Sequence, residues 1–292
     1  MITFDSKSWP CPAKINLFLH INRQRSDGYH DLQTVFQFLD YSDTMNFGIR
    51  NDGVIQLHTV FEDIKHEQNL IVKAAKLLQK KLDTPLGIDI QINKILPMGG
   101  GLGGGSSNAA TTLVALNHLW QGQLTQHELM ELGLELGADV PIFIFGQAAF
   151  AEGVGEQLQG VDAEEPWYLV IQPNVHVSTQ TIFTHPELTR NTPSMILNDI
   201  SWKNTHNDCQ DLVAKMYPQV ANALEWLLQY APSRMTGTGA CLFGYFDNKK
   251  DALNALKNKP DDCQGFVAKG SNISPLTKHL EQHINSGITA SI

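Results

Sequence analysis

The sequence lacks long hydrophobic runs, and its longest apolar stretch, VPIFIFGQAAFA from Val140, is too short and too interrupted to span a bilayer. Its start, MITFDSKSWP, also lacks the basic and then apolar layout of a targeting peptide. These two absences predict a soluble, cytoplasmic protein with no membrane partner.

Basic segments and closely spaced cysteines are absent as well. The formal net charge is −9 and there is no run of lysine or arginine, which disfavours a protein that grips nucleic acid by its phosphates. The cysteines form no C-x-x-C pair, so we expect reduced thiols at Cys11, Cys209, Cys241 and Cys263.

The length of 292 residues, of which 42% are hydrophobic, allows one large core or two moderate ones. Two domains are favoured because single hydrophobic cores stop growing near this length. The polar, aperiodic stretch GVGEQLQGVDAEEPW predicts a boundary near residue 155, between an N-terminal domain, 1–155, and a C-terminal domain, 156–292. Both halves mix strands and helices, which indicates an α+β fold.

Hydrophobic periodicity and helix-capping residues predict the individual elements. Asn69 is placed to cap one helix, and Thr125 with Glu128 forms the capping box of another. The patterns predict strands at 13–19, 29–41, 53–60, 88–92, 167–172 and 265–269, a strand–turn–strand over 234–246, and helices at 71–82, 109–120, 125–137, 249–258 and within 178–231.

Glycine is concentrated in one place, because six of the seven residues 99–105 are glycine. Each glycine costs about 0.5–1 kcal/mol relative to alanine, so the six together cost about 3–6 kcal/mol. A cost of this size indicates that something approaches the backbone closely. A flexible linker is the alternative, but a strong helix follows the segment at once.

The segment satisfies G-x-G-x-x-G at Gly99, Gly101 and Gly104, which alone is weak support for a dinucleotide site. A helix follows where that motif needs a strand ending in an acidic residue, and no Gly-Lys-Ser/Thr completes a Walker loop. A glycine turn entering a helix still directs backbone N–H groups at one point, which predicts a polyphosphate ligand. Ser106 and Ser107 are then either N-caps or ligand contacts.

Three blocks resemble those of the GHMP kinases, the superfamily of galactokinase, homoserine kinase and mevalonate kinase. The blocks are PAKINLFLHI with its following turn, PMGGGLGGGSSNAA and RMTGTGACLFG, and they span almost the whole chain. Pro12–Leu17 with Asp27–His30 is most similar to a branch that phosphorylates the 2-hydroxyl of the methylerythritol moiety of a diphosphocytidyl substrate, in the non-mevalonate route to isoprenoids. The resemblance implies an N-terminal ATP-binding α+β domain, a ferredoxin-like C-terminal domain and an active site between them.

Two catalytic residues follow from this resemblance. Asp139 precedes the apolar VPIFIF, where an aspartate alone most often caps a helix, but it matches the family's base for the acceptor hydroxyl. Lys14 alternates with Ala13 and Ile15, a pattern typical of a solvated strand face. The match instead pairs Lys14 with Asp139, which would keep the carboxylate ionised and stabilise charge on the transferring group.

The resemblance also implies a pocket for cytosine. Tyr29 matches the residue that stacks on the base, although a tyrosine at a hairpin is ordinarily just a good strand former. Phe183 would form the other face of the stack, and His30 would hydrogen-bond the edge of the base. Asn16 and Thr179 would contact the substrate as well.

On the nucleotide side, the resemblance implies ATP as phosphoryl donor together with Mg²⁺, whose ligands the sequence does not identify. Lys94 and Asn69 would line the adenine side, although a helix N-cap explains Asn69 equally well. Gly237 and Gly239 would lie under the phosphates, unless they form an ordinary turn between strands. The remaining implied contacts are Pro97, Met98, Gly99, Gly100, Gly101, Leu102, Gly103, Gly104, Gly105, Ser106, Ser107 and Asn108. Valine at position 103 or 104 is expected to block ATP while leaving the fold intact.

A GHMP kinase for another small alcohol, such as homoserine or mevalonate, is the next candidate. Tyr29, His30 and Phe183 argue against it, because an acceptor without a base has no use for a stacking pair. A nucleotide-binding regulator and an oxidoreductase are alternatives outside the kinases, and the presence of Lys14 and Asp139 disfavours the regulator. We expect a small-molecule cytidyl substrate as the partner, and a monomer or weak homodimer.

One further pair has the spacing of metal ligands. His279 and His283 stand four residues apart on a predicted C-terminal helix. The order His-Leu-Glu-Gln-His misplaces the glutamate of the H-E-x-x-H motif, and no third ligand is evident. We therefore expect a solvated C-terminal helix.

Overall fold

The computed structural model of the protein describes residues 4, 7–62, 64–201 and 204–285. Its strands are β1 Trp9–Gln24, β2 His30–Arg50, β3 Ile55–Leu57, β4 Gly87–Asn93, β5 Ala149–Glu152, β6 Gln157–Gly160, β7 Trp167–Pro173, β8 Ser233–Met235, β9 Leu242–Phe246 and β10 Cys263–Ser271. Its helices are α1 Leu70–Leu82, α2 Gly104–Leu119, α3 Gln126–Leu136, α4 Val140–Phe145, α5 Thr179–Thr184, α6 Gln210–Met216, α7 Pro218–Leu228, α8 Lys249–Lys257 and α9 Pro275–Asn285, with short 3₁₀ helices at His66–Gln68 and Leu197–Asp199.

The strands of both halves join in one sheet, and β2 is its most connected strand. β1 and β2 form a long antiparallel hairpin in which Lys14 lies opposite Phe38 and Asn16 lies opposite Phe36. β2 also pairs with β4 and β5, and β3 runs parallel to β4. The order β10, β7, β9, β8 continues the sheet through antiparallel pairs. β10 connects the two parts, because its last residues also pair with β2.

Four groups of buried side chains hold the fold together, and three of them account for most of the core. The largest packs α1, α2, α3 and α4 against β1, β2 and β4, and the second packs α6, α7 and α8 against β7 and β9. A smaller group joins the two and includes Ala13, Leu102, Cys241 and Phe243. Leu102 interrupts the glycine segment and is 1% exposed, so its side chain anchors that segment between the halves.

The structure confirms several predicted helix ends. These ends were predictable because the residues that determine them are close together in sequence. The Asn69 side chain accepts a hydrogen bond from the N–H of Ile71 and caps α1. Thr125 and Glu128 form the predicted capping box of α3, which ends at Gly137. Mixed strands and helices throughout the described residues agree with the predicted α+β fold. No helix within the described ranges is both long and apolar enough to cross a membrane.

Residues 153–167, predicted to be an aperiodic connection, contain a strand. β6 pairs with β5 from Ala149 opposite Gly160 to Glu152 opposite Gln157, so this hairpin crosses the predicted boundary at residue 155. The pattern QLQG carries little apolar alternation because its side chains are mostly exposed. The strand predicted over 53–60 is limited to Ile55–Leu57. The division into 1–155 and 156–292 stays a prediction.

The expectation of a solvated C-terminal helix is wrong. His283 of α9 is 1% exposed, and its ring stacks on that of Trp9 at 4.9 Å. The ring of His279 contacts the same indole edge to face, also at 4.9 Å. α9 therefore packs into the core of the N-terminal half, and the histidine spacing reflects packing. Among the described residues, no group of three His, Cys, Asp or Glu side chains is arranged to hold a metal ion.

Candidate active site

The glycine segment forms a loop that needs glycine for its backbone conformation. Gly99, Gly101 and Gly103 have φ angles of +68°, +83° and +72°, which side-chain-bearing residues rarely adopt. Gly103 is also the N-cap of α2, and no side chain caps this helix. The N–H groups of the first turn are therefore available to an anion in front of the loop.

Ser106 and Ser107 both lie inside the first turn of α2, so the alternative that they are N-caps is wrong. Ser106 lines the cavity in front of the loop. Ser107 Oγ is buried and has no hydrogen-bond partner among the described residues. Ser107 is fully buried and lines neither cavity, so Ser106 is the serine of this pair that is placed to contact a ligand.

The closest approach to the glycine backbone is made by the protein itself. A Cβ at Gly100 would overlap Cys241 Sγ, and one at Gly101 would overlap the carbonyl oxygen of Thr236. Both contacts come from the turn between β8 and β9, so these glycines allow the C-terminal half to pack against the loop. A Cβ at Gly104 would overlap no atom, but it would be in van der Waals contact with Lys94 Nζ at 3.5 Å and with Leu96 at 3.7 Å.

A buried carboxylate that the sequence reasoning missed holds the start of the loop. Asp43 is fully buried in β2, and its Oδ1 accepts hydrogen bonds from the N–H groups of Ile95 and Leu96 at 2.7 and 2.8 Å. Its Oδ2 accepts from Asn108 Nδ2 at 3.1 Å and pairs with the Lys94 ammonium. Asp43 therefore links the sheet, the loop and the first turn of α2, and it neutralises Lys94.

Two cavities meet at the loop. The first, of about 510 Å³, is lined by the glycine loop and by the predicted nucleotide contacts Asn69, Lys94 and Asn108. The second, of about 830 Å³, is lined by the predicted substrate contacts Asn16, Tyr29, His30, Thr179 and Phe183. Four residues line both cavities: Gly101, Ser106, Asp139 and Thr179. The carboxylate of Asp139 thus lies where a ligand of one cavity meets a ligand of the other.

Asp139 and Lys14 form the predicted ion pair. Lys14 Nζ lies 3.2 Å from Asp139 Oδ2, and the Lys14 side chain is 3% exposed while that of Asp139 is 39% exposed. Asp139 is the residue before α4, but its side chain caps no backbone N–H, so the helix-cap alternative does not explain it. The solvated-face alternative for Lys14 is wrong, because this strand face is covered by the glycine loop and α4.

Asn16 orients the lysine of this pair by a hydrogen bond. Its Oδ1 accepts a hydrogen bond from Lys14 Nζ at 2.7 Å, and its Nδ2 donates to Thr34 Oγ1 at 3.0 Å. Its backbone N–H donates to Thr236 Oγ1 at 2.9 Å, which ties β1 to the C-terminal half. Asn16 lines the second cavity, but its amide already orients the lysine.

The predicted base-binding residues lie together, in an arrangement that the sequence did not predict. The ring of His30 is buried and stacks on the ring of Phe183, with centroids 5.1 Å apart and planes 29° from parallel. Tyr29 is 61% exposed at the mouth of the second cavity. Burial, and then the charge of Arg190, lower the pKa of His30, which keeps its imidazole neutral near pH 7.

Some of the remaining predicted site residues line a cavity and others do not. Gly237 lines the second cavity and lies against the loop, where a Cβ would come within 3.4 Å of Gly101 Cα. Ser107 and Gly239 do not line either cavity. Lining residues that the sequence reasoning missed include His176, Ser178, Gln180 and Thr238. The hydroxyls of Thr238 and Thr179 form a hydrogen bond at 2.9 Å. The two residues are 59 positions apart, so no local sequence pattern predicts this contact.

Comparison with protein families gives two matches on this chain. The model of the GHMP kinases N terminal domain matches residues 69–147, and that of the GHMP kinases C terminal matches residues 188–261. The first match contains the glycine loop and Asp139. The second contains the turn between β8 and β9 that packs on the loop.

Individual relatives agree with these matches. The chain is 57% identical, over 97% of its length and all of the relative's, to a 4-diphosphocytidyl-2-C-methyl-D-erythritol kinase of Shewanella loihica. It is 55% identical to the kinase of the same name from Mannheimia succiniciproducens, over 95% of this chain and 92% of that one. A solved structure of 4-(cytidine 5'-diphospho)-2C-methyl-D-erythritol kinase superposes with a TM-score of 0.79 at 27% identity, covering 91% of this chain and 99% of that one. A mevalonate kinase structure shares the fold, with a TM-score of 0.64 at 15% identity over 92% and 100% of the two chains.

Proposed function

Since this chain belongs to the GHMP kinases, and within them to the 4-diphosphocytidyl-2-C-methyl-D-erythritol kinases, we propose that it transfers the γ-phosphoryl group of ATP to the 2-hydroxyl of that cytidyl substrate. The reaction belongs to the non-mevalonate route to isoprenoid precursors. The observation that carries this proposal is the Asp139–Lys14 pair at the junction of the two cavities.

The first cavity is assigned to ATP. Its glycine loop presents the uncapped N-terminus of α2, whose N–H groups suit the β- and γ-phosphates. Asn69 and Lys94 line the same cavity. Lys94 Nζ lies next to Gly104 and donates to Asn108 at the start of α2, so its contact with the adenosine stays a prediction. In this arrangement the γ-phosphate points toward Gly101, Ser106 and Asp139, the side shared with the second cavity.

The second cavity is assigned to the acceptor alcohol. Its hydroxyl would lie against Asp139, which accepts or orients the proton as the oxygen attacks the γ-phosphorus. Lys14 pairs with Asp139 and would stabilise the negative charge that develops on the transferring group. Asn16 fixes the lysine ammonium, so the pair is oriented before substrate arrives.

Mg²⁺ is proposed to accompany the nucleotide. The oxygen donors of this part of the site, the Asp139 carboxylate and the Ser106 hydroxyl, are of the kind that Mg²⁺ prefers. Asp139 is the one carboxylate among the described residues that line the first cavity. Phosphate oxygens and water would therefore supply most of the coordination, and the ion would neutralise phosphate charge during transfer.

Another small alcohol, such as mevalonate or homoserine, is the second candidate acceptor, because kinases for these share the fold. The second cavity favours the cytidyl substrate, since Tyr29, His30 and Phe183 line the same cavity as the catalytic pair. The aromatic residues would then recognise the base, while the reacting hydroxyl of the same substrate lies at the catalytic pair.

A panel of alcohols offered with ATP and Mg²⁺ tests this assignment, with the phosphorylated product detected by mass. We expect product from the cytidyl substrate, and we expect CDP to compete with that substrate and not with ATP. Product from mevalonate or homoserine instead, with no competition by CDP, would assign the enzyme to another acceptor. The cytoplasmic location, the absence of nucleic-acid and membrane partners, and the monomeric or weakly dimeric state stay predictions.

A further inference from the structure

Arg190 lies behind the proposed base pocket and was absent from every sequence-based expectation. It is half-buried in the segment after α5, and 160 residues separate it from the histidine that it contacts. Its Nε donates a hydrogen bond to His30 Nε2 at 3.0 Å. Its other nitrogens donate to three carbonyl oxygens, those of Leu188 at 3.1 Å and of Phe183 and His185 at 2.8 Å.

This contact determines where the proton of His30 lies. An arginine side chain has only donors and stays protonated, so Nε2 of His30 must be the acceptor. A neutral imidazole that accepts at Nε2 carries its proton on Nδ1. Because His30 lines the second cavity and its Nε2 is occupied, Nδ1–H is the polar group that the ring has left for a ligand.

The same guanidinium also fixes the partner of the histidine. By binding the carbonyls of Phe183 and His185, Arg190 holds the end of α5 in place, and the Phe183 ring stacks on His30 from that helix. The segment beyond it is attached to β1, since the N–H of Thr192 donates to the Ile21 carbonyl at 3.1 Å. One side chain therefore orients the hydrogen-bonding group and the stacking ring together.

We infer that Arg190 is a positioning residue that selects cytosine over uracil by fixing His30 as the Nδ1–H tautomer. This inference rests on the proposed function and names what reads the base. Position 3 of cytosine is an acceptor that Nδ1–H can satisfy, whereas position 3 of uracil carries a hydrogen. A uracil base would set two donors against each other, and a polar group left unpaired when the base binds is disfavoured.

The first measurement uses the wild-type protein and needs no variant. Nitrogen-15 NMR of the histidine rings distinguishes a protonated from an unprotonated ring nitrogen. We expect His30 to be neutral at pH 7 with its proton on Nδ1. A proton on Nε2 would overturn the inference, whatever the enzyme phosphorylates.

The second measurement compares CDP and UDP as ligands of wild-type protein and Arg190→Gln. We expect wild type to bind CDP at least tenfold more tightly than UDP, and the variant to lose most of this preference as the Nε2–H tautomer becomes accessible. KM for the cytidyl substrate should rise about tenfold or more, while kcat and KM for ATP change less than twofold. Equal losses of CDP and UDP affinity, with the His30 tautomer unchanged, would show a purely structural role.

Two further variants sharpen the comparison. Arg190→Lys keeps the charge but offers one compact ammonium in place of a planar fork, so we expect only partial recovery of the CDP preference. Lys215→Gln removes an equal charge from the exposed ion pair with Glu187 in the same region, and we expect wild-type behaviour. Absence of product from the cytidyl substrate in wild type would refute the proposed function alone, because tautomer and CDP preference are measured without turnover.

Discussion

At the scale of single residues, the site depends on a carboxylate and an ammonium that differ in exposure. Lys14 is almost fully buried and is held by Asn16, whereas the Asp139 side chain remains accessible to both cavities. A buried cation needs a partner of opposite charge, and the Asp139 carboxylate supplies it. The accessible carboxylate is the member that a substrate hydroxyl can reach.

Asp139→Asn tests the role of this carboxylate. The amide keeps the shape but cannot accept a proton, so we expect kcat to fall about 10²–10⁴-fold. ATP binding, measured by calorimetry, should change little, because the phosphates are assigned to the loop. A variant that turns over at a near-normal rate would remove Asp139 from the mechanism.

Tyr29→Ala tests base recognition. Removal of a stacking ring typically costs about 1–3 kcal/mol per base, which corresponds to a rise of roughly 5- to 150-fold in KM for the cytidyl substrate. Tyr29 is 61% exposed, so its removal leaves the packed core intact. KM for ATP serves as the internal control and should stay close to wild type. An equal effect on both substrates would make Tyr29 a structural residue.

At the scale of elements, the glycine loop needs glycine for two separate reasons, the fold and the approach of a ligand. Gly103 has a positive φ, and a Cβ there would lie 2.7 Å from the Phe143 ring, so this glycine is required by the fold. Gly104 begins α2, and a Cβ there would overlap no atom. We therefore no longer expect valine at Gly103 to leave the fold intact, and we keep that expectation for Gly104.

Gly104→Val is the variant that tests ligand binding separately from the fold. We expect thermal stability close to wild type and at least a tenfold loss of ATP affinity, because the valine side chain would stand at the first residue of α2, beside the N–H groups assigned to phosphate. Gly103→Val should instead lower stability by about 1–3 kcal/mol through backbone strain. Unchanged ATP affinity in a folded Gly104 variant would give the loop a purely structural role.

What the sequence could predict depends on how far apart the determinants lie. The caps at Asn69 and Thr125 act within three residues, so they were predicted from local pattern alone. Asp43 and Arg190 act on partners 51 and 160 residues away, and nothing near them in sequence indicates those partners. The roles of Lys14 and Asp139 came from the family resemblance, because taken alone each pattern favoured an ordinary structural explanation.

At the scale of the whole molecule, the two halves are joined more closely than the sequence suggested. The sheet continues from β2 into β10, and the chain then returns to the N-terminal half as α9. Leu276 of α9 is 1% exposed and belongs to the core formed by α1, α2 and β1. The N-terminal core therefore includes residues from the far end of the chain, and its stability depends on them.

Leu276→Ala tests this dependence. Loss of a buried leucine side chain costs about 2–5 kcal/mol, so we expect the free energy of unfolding in denaturant to fall by that amount. Ile284→Ala is the matched control, because Ile284 lies on the same helix, is 59% exposed and should change stability by less than about 0.5 kcal/mol. Unfolding followed by tryptophan fluorescence includes Trp9, against which α9 packs. Equal stabilities of the two variants would place α9 in solvent and contradict its packing into the N-terminal core.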